Sequence, residues 1–213
     1  MRSLKKPDSN RKPSTGFSRR GFIQGVGLGG GAVGSGVLEQ TAEAAPAGVM
    51  GPAAVPITLT VNGKPRKLSV EPRVTLLDAL RNQLDLTAAK RSCDRAVCGS
   101  CTLILGGKAV YACSVLAVDA QGKEIQTIEG MAEPGKLHPV SLAFWNNDAQ
   151  QCGYCTPGFV MAVQAFLAKN PNPTPEQVNE GLGGNICRCG TYMGLRKAVL
   201  EAARVKAKGG ANG

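Results

Sequence analysis

A single histidine, His138, occurs among 213 residues. It stands directly before Pro139, where it reads as a helix-entry residue, so a metal centre or an acid–base machine built on several imidazoles is excluded. Aromatic residues are only 4% of the chain and Trp145 is the lone tryptophan, so no domain here can rest on a large aromatic core. Long apolar runs are also missing; the nearest approach, Gly25 to Leu38, is too short and too rich in glycine for a transmembrane helix. No grouping of residues reads as a site for making bonds on a substrate. Trp145 and Phe144 read as core or interface residues.

What the chain does have is eight cysteines and 28 glycines. Its length suits two small domains rather than one large one, and small domains with modest cores commonly rely on staples. The net charge of +10 is divided unevenly: residues 1–45 hold seven Lys/Arg against Asp8, Glu39 and Glu43, a net of +4, which leaves +6 for the rest. The basic start has its own explanation. Ser18-Arg19-Arg20-Gly21-Phe22-Ile23 follows the pattern of a twin-arginine export signal, and Ala42-Glu43-Ala44 fits a small-residue cleavage site. Residues 1–45 are therefore expected to be a signal peptide, with 46–56 a linker and the mature protein periplasmic. Export in the folded state would let thiols meet a cofactor in the reducing cytoplasm before an oxidising compartment could pair them. Nucleic acid is not an expected partner.

From Ile57 the pattern is β. Ile57-Thr58-Leu59-Thr60-Val61 alternates with period two, Asn62-Gly63 is a tight-turn dipeptide, and Arg66 to Val70 returns as partner strand. Thr75 can cap a helix carrying Leu76, Leu77, Leu80 and Leu84 as one apolar stripe. Thr102–Leu105, Lys108–Ala112 across Gly106-Gly107, and Glu124–Ile128 supply further strands. Past Met131 the strands stop. Helices are predicted over Pro139–Asn147, Pro157–Lys169, Pro175–Leu182 and Tyr192–Lys206, three of them with proline at the first position. Thr174-Pro175-Glu176-Gln177 is a capping box. Phe159, Val160, Val163, Phe166 and Leu167 give one apolar helical face. The expected architecture is α+β: a β-grasp domain over residues 57–130, a four-helix domain over 131–208 and a short tail, 209–213.

The cysteines fall into two sets of four. Cys93, Cys98, Cys101 and Cys113 have the spacing of a plant-type ferredoxin loop for a [2Fe-2S] cluster; Gly99 there can take the positive φ of a tight wrap. Cys152 and Cys155, with Cys187 and Cys189, form two short pairs separated by a helical hairpin, with Cys155 and Cys189 just before helix starts that favour negative charge. Disulfides compete poorly, because Cys187 and Cys189 are too close to bridge one another easily. An all-thiolate zinc site at the second set is the other alternative, which would make the protein an exported zinc- or disulfide-stabilised binding module without redox role. Two oxidised [2Fe-2S] clusters would offset roughly four positive charges.

A ferredoxin-like domain followed by a helical domain with Gln151-Cys-Gly-Tyr-Cys-Thr-Pro-Gly and Asn185-Ile-Cys-Arg-Cys-Gly resembles the iron–sulfur subunit of the xanthine oxidase family of molybdenum hydroxylases. With the twin-arginine signal in front, it is most similar to the small subunit of bacterial periplasmic aldehyde oxidoreductases. The resemblance implies that Cys152, Cys155, Cys187 and Cys189 hold the cluster near a molybdopterin cytosine dinucleotide on a large partner subunit. It implies that the other four hold a more exposed cluster, that Gln151 hydrogen-bonds the pterin and that Cys189 lies nearest it. Electrons would pass singly from molybdenum through both clusters to an FAD subunit or a c-type cytochrome, during oxidation of an aldehyde or N-heterocycle. Lys90, Arg91 and Arg95 would either raise the first cluster's potential or form an ordinary solvated face. Two departures stand out. Ser92 and Ala96 replace glycines of the family's ferredoxin loop, at a strain of about 1 kcal/mol if Ala96 needs positive φ. Gly190-Thr191-Tyr192 replaces a Thr-Gly-Tyr, with little effect expected.

Overall fold

Alternation and turn chemistry agree in the first hairpin. In the computed structural model, which describes residues 51–131 and 135–209, β1 (Val55–Val61) and β2 (Lys64–Val70) pair antiparallel with Val61 opposite Lys64. Asn62 and Gly63 between them both take positive φ, 51° and 73°, as a two-residue type I′ turn requires. β1 begins at Val55 rather than Ile57, because Val55 still pairs with Val70, and so absorbs the end of the stretch read as linker. The export signal and the first part of that linker lie outside the described residues.

Thr75 caps α1 (Leu76–Gln83) by accepting from the Asp78 amide at 3.1 Å, and Leu76, Leu77 and Leu80 are fully buried in the core beneath it. β3 (Thr102–Leu105) and β4 (Lys108–Tyr111) pair across Gly106 and Gly107, whose φ values of 54° and 78° again form a positive-φ turn. β5 (Glu124–Gln126) stops short of the predicted Ile128, which instead opens a 3₁₀ turn running to Met131. It pairs parallel to β1 and antiparallel to β3, giving one mixed sheet in the order β2-β1-β5-β3-β4.

Four helices follow: α2 (Pro139–Asn146), α3 (Thr156–Lys169), α4 (Pro175–Gly181) and α5 (Tyr192–Gly209). His138 caps α2, its Nδ1 accepting from the Val140 amide at 3.3 Å, the helix-entry role expected of it. Thr174 and Gln177 make both bonds of the capping box. α3 departs from expectation. The sequence predicts one apolar face, yet the helix is buried nearly all round, because it lies between the other helices and the sheet. Phe159, Val160 and Val163 enter the helical core, while Met161 and Ala165 pack on Ile104 of β3. Every residue of β3 is consequently buried. The fold is α+β, and among the described residues no helix is long and apolar enough to cross a membrane.

Candidate metal centres

The β3–β4 register positions half of the first cysteine set. Thr102 stands opposite Tyr111, and the Ala112 amide donates to the Cys101 carbonyl at 3.3 Å. Cys101 and Cys113 are thus held, both buried, at adjoining ends of one hairpin. Cys93 and Cys98, half-buried, come from the loop before β3. That loop is wound by Asp94, Ala96 and Gly99 at φ 55°, 56° and 70°, which turns its amides inward: Ala96 N–H donates to Cys113 Sγ at 3.3 Å and Val97 N–H to Cys93 Sγ at 3.4 Å. Burial pushes the Cys98 thiol up, but hydrogen bonds from the backbone and hydroxyl of Ser100 and from Cys93 bring it down to about 6. Burial first, and then the neighbouring Cys113 and Cys98, push Cys101 up to about 12. Tyr111 is raised by burial and then by the charges of Cys101, Cys98 and Cys93. Four thiols that sense one another, under amides aimed at sulfur, are a donor set suited to a group rich in negative sulfur.

Of the two replaced glycines, Ala96 does occupy the left-handed region, while Ser92 is not among the positive-φ residues. The basic residues beside this loop are partly committed. Arg91 pairs with Asp78, Arg95 Nε donates to the Cys93 carbonyl at 3.3 Å, and Lys90 Nζ donates to the Thr87 carbonyl.

The second set is built on two helix starts. Cys155 is the N-cap residue of α3, and Cys152 precedes it across Gly153, at φ 79°. Cys187 is buried and Cys189 exposed, with Gly190 at φ 79° turning the chain into α5. Burial, then Cys187 and Cys152, push Cys155 up to about 12. Burial opposes ionisation of Cys187, but hydrogen bonds from Thr191, from Cys155 and from the Cys189 backbone lower it to about 7. The Cys187 amide itself donates to the Tyr192 hydroxyl at 2.7 Å. Thr156 Oγ1, on the residue after Cys155, is buried with no partner in the chain, so an acceptor of the sulfide kind beside Cys155 would satisfy it. Gln151, Cys152 and Cys189 are all exposed. Within this chain alone the helical thiols are therefore the more exposed set.

All eight cysteines are free, and among the described residues no three Cys, His, Asp or Glu side chains converge so as to hold one metal ion.

The two sets are joined by contacts that spacing alone did not reveal. Ile186 N–H donates to the Cys98 carbonyl at 2.9 Å. Asn185 Nδ2 donates to the Gly99 carbonyl at 2.9 Å and to Thr102 Oγ1 at 3.2 Å. The Tyr111 hydroxyl donates to the Gly184 carbonyl at 2.7 Å, and the Tyr154 hydroxyl to the Arg91 carbonyl. Gly158 in the first turn of α3 lies so close to the ferredoxin loop that a Cβ there would meet the Gly99 carbonyl oxygen at 2.3 Å. Asn185 and Tyr154 lie inside the quoted cysteine motifs, which was the only available signal for them.

Comparison with known proteins matches residues 59–127 to the 2Fe-2S iron–sulfur cluster binding domain family and residues 127–200 to the [2Fe-2S] binding domain family. The iron–sulfur-binding subunit of aldehyde oxidoreductase, PaoA, of Escherichia coli K12 is 41% identical over 177 residues, covering 76% of this chain and 77% of that protein. The nicotine 6-hydroxylase small subunit of Paenarthrobacter nicotinovorans is 45% identical over 148 residues, covering 70% of this chain and 89% of that one. Among solved structures, a chain of quinoline 2-oxidoreductase from Pseudomonas putida superposes with a TM-score of 0.71 at 40% identity, covering 74% of this chain and 98% of that chain. Aldehyde oxidoreductase from Desulfovibrio desulfuricans gives a TM-score of 0.69 at 42% identity over 72% of this chain, though only 17% of that much longer polypeptide. With both halves matched to [2Fe-2S] domains and relatives of this identity and coverage, the chain belongs to the family of iron–sulfur subunits of the xanthine oxidase type of molybdenum hydroxylases.

Proposed function

We propose that this iron–sulfur subunit of an oxidoreductase complex relays single electrons from a large molybdenum-cofactor subunit to a separate acceptor. In this reading Cys93, Cys98, Cys101 and Cys113 hold one [2Fe-2S] cluster, and Cys152, Cys155, Cys187 and Cys189 hold the other. When bound, each cluster supplies a one-electron couple. The chain's own residues do the rest. The Ala96 and Val97 amides and the Thr191 hydroxyl hydrogen-bond to cysteine sulfur, and α3 and the Asn185–Ile186 segment hold the two sets in fixed register. The observation that carries the reading is the Ile186–Cys98 hydrogen bond of 2.9 Å, which brings two four-thiol sets to either end of one backbone contact.

The exposure of Gln151, Cys152 and Cys189 supports a partner closing over the helical set. We assign that partner as the large subunit, with its molybdopterin cytosine dinucleotide against Gln151 and Cys189. Exposure of these thiols in the single chain then agrees with their burial in the complex. The acceptor is an FAD subunit or a c-type cytochrome. The names of the relatives, which include an aldehyde oxidoreductase, a nicotine hydroxylase and a quinoline oxidoreductase, support an aldehyde or an N-heterocycle as substrate, bound by the large subunit. Ser18 to Phe22 supports folded export to the periplasm, which replacement of Arg19 and Arg20 by lysine is expected to abolish.

Low-temperature EPR of the dithionite-reduced protein, purified with its partners, tests the relay. Two distinct [2Fe-2S] signals, about four irons per chain as two such clusters require, and co-purifying molybdenum are expected. Absence of iron signals with zinc present would refute the reading.

A further inference from the structure

The order Gly190-Thr191 delivers a hydroxyl to a sulfur. Thr191 is 6% exposed and Cys187 7% exposed, and Thr191 Oγ1 lies 3.2 Å from Cys187 Sγ. The hydroxyl is held in place by the helix that begins there, since the Thr191 carbonyl accepts from the Leu195 amide at 3.0 Å. Gly190, at φ 79°, makes the turn that brings residue 191 back to Cys187. A side chain at position 190 would instead start in open space, with nothing within 4 Å of its Cβ.

We propose that Thr191 tunes the helical-domain cluster: its hydroxyl donates to the Cys187 thiolate and holds the reduction potential of that site above the value the chain would give with no hydroxyl there. This rests on the reading of Cys187 as a cluster ligand. Between a thiol and a hydroxyl either atom can donate, but an iron-bound thiolate has no proton, so Thr191 becomes the donor. A hydrogen bond to a charged acceptor is roughly twice as strong as one between neutral groups, and it strengthens as negative charge accumulates on sulfur. The reduced state therefore gains more than the oxidised one. One electron is taken up, the hydroxyl keeps its proton, and no bond is made or broken. Burial of both residues keeps water from substituting for the hydroxyl. A higher potential at this site makes it a better first acceptor on the side where Cys152 and Cys189 are exposed.

Thr191→Val keeps the shape and removes the donor, Thr191→Ser keeps the donor, and Thr191→Ala is a second removal should the valine fail to assemble. Each variant is purified with its partner subunits and titrated potentiometrically, with EPR reading the two [2Fe-2S] signals separately. Removal is expected to shift one signal to lower potential, changing its electron-exchange equilibrium with the other cluster by about tenfold, or about 59 mV for one electron. The serine variant should stay near the parent, and the second signal should not move in any variant. Two intact signals with no shift on removal overturn the proposal and leave the cluster assignment standing, as do two signals that move together. A parent complex lacking the second signal overturns it by removing the cluster assignment itself.

Discussion

The Ile186 amide donates to the Cys98 carbonyl at 2.9 Å, so the residue before Cys187 is tied directly to a cysteine of the other set. Its neighbour Asn185 locks this contact from inside the protein. Asn185 is 7% exposed, and its amide group donates both to Gly99 O and to Thr102 Oγ1. The Gly99 carbonyl also accepts from the Thr102 amide at 3.1 Å and hydroxyl at 2.6 Å, so losing Asn185 does not leave it unpaired.

Asn185→Leu is therefore expected to destabilise the chain by about 1–3 kcal/mol, about 0.5–1.5 kcal/mol for each of the two hydrogen bonds lost, rather than to unfold it. Its distinctive effect should be on the register of the two cysteine sets. Chemical denaturation reads the first effect, and the magnetic interaction between the two reduced clusters reads the second. A stability loss with an unchanged interaction would mean that Asn185 is only a packing residue.

Gly158→Ala should run against helix propensity. Alanine in place of glycine in a helix interior ordinarily stabilises by about 1 kcal/mol, but here the new Cβ would meet the Gly99 carbonyl oxygen at 2.3 Å and Ser100 backbone atoms at 3.0 Å. The start of α3 must retreat from the loop, a strain of about 1–3 kcal/mol. A lowered melting temperature with reduced iron content is expected; a raised one would contradict the close approach.

These two positions mark where sequence reasoning stopped. The hairpins were legible because Asn62-Gly63 and Gly106-Gly107 name their own turns, and the helices because Thr75, Pro139 and Thr174 sit at their starts. The cysteine sets were legible as local spacings. The junction between them was not: Asn185 reaches a carbonyl 86 residues away, and Met161 and Ala165 meet Ile104 across two domains. No periodicity within one element encodes such a contact, and the second apolar face of α3 acquires meaning only once the sheet is beside it. Phe144 and Trp145 show the finer limit. Val140, Ala143 and Phe144 follow helical spacing and are buried, so Trp145 is left 69% exposed while Phe144 is 1% exposed, a difference that residue type alone does not give.

Ala96→Gly tests the strain in the ferredoxin loop. Ala96 sits at φ 56°, where a side chain costs about 1–2 kcal/mol, while glycine gives back about 0.4–1 kcal/mol through the entropy of the unfolded chain. The substitution should be neutral or stabilising by up to about 1.6 kcal/mol in denaturant titrations. The Ala96 amide bond to Cys113 Sγ at 3.3 Å involves backbone only and should survive. A clear destabilisation would show that the methyl group packs rather than strains.

Glu201 offers a pH test away from both cysteine sets. Its carboxylate accepts from Asn146 Nδ2 at 2.7 Å and Asn147 Nδ2 at 2.5 Å, clamping the C-terminal end of α2 to α5. These two hydrogen bonds, and then Arg204, outweigh the opposing effect of burial and hold the carboxyl below its ordinary range. A folded-state value below the unfolded one, roughly 4.3 for glutamate, means that the stabilisation is fully present above that value and is lost as pH falls through the folded one. Glu201→Gln keeps the shape but carries no titrating group, and its amide NH₂ meets one asparagine NH₂ donor to donor. The parent should therefore be the more stable of the two near neutral pH, by an amount that holds constant down to about pH 5 and then narrows as pH falls below about 4.3 and through the lower folded value. All other carboxylates titrate in both proteins, so comparing paired melts across this range isolates the clamp. A gap that stays constant to the acid end would show that the asparagines recognise the shape of residue 201 and not its charge.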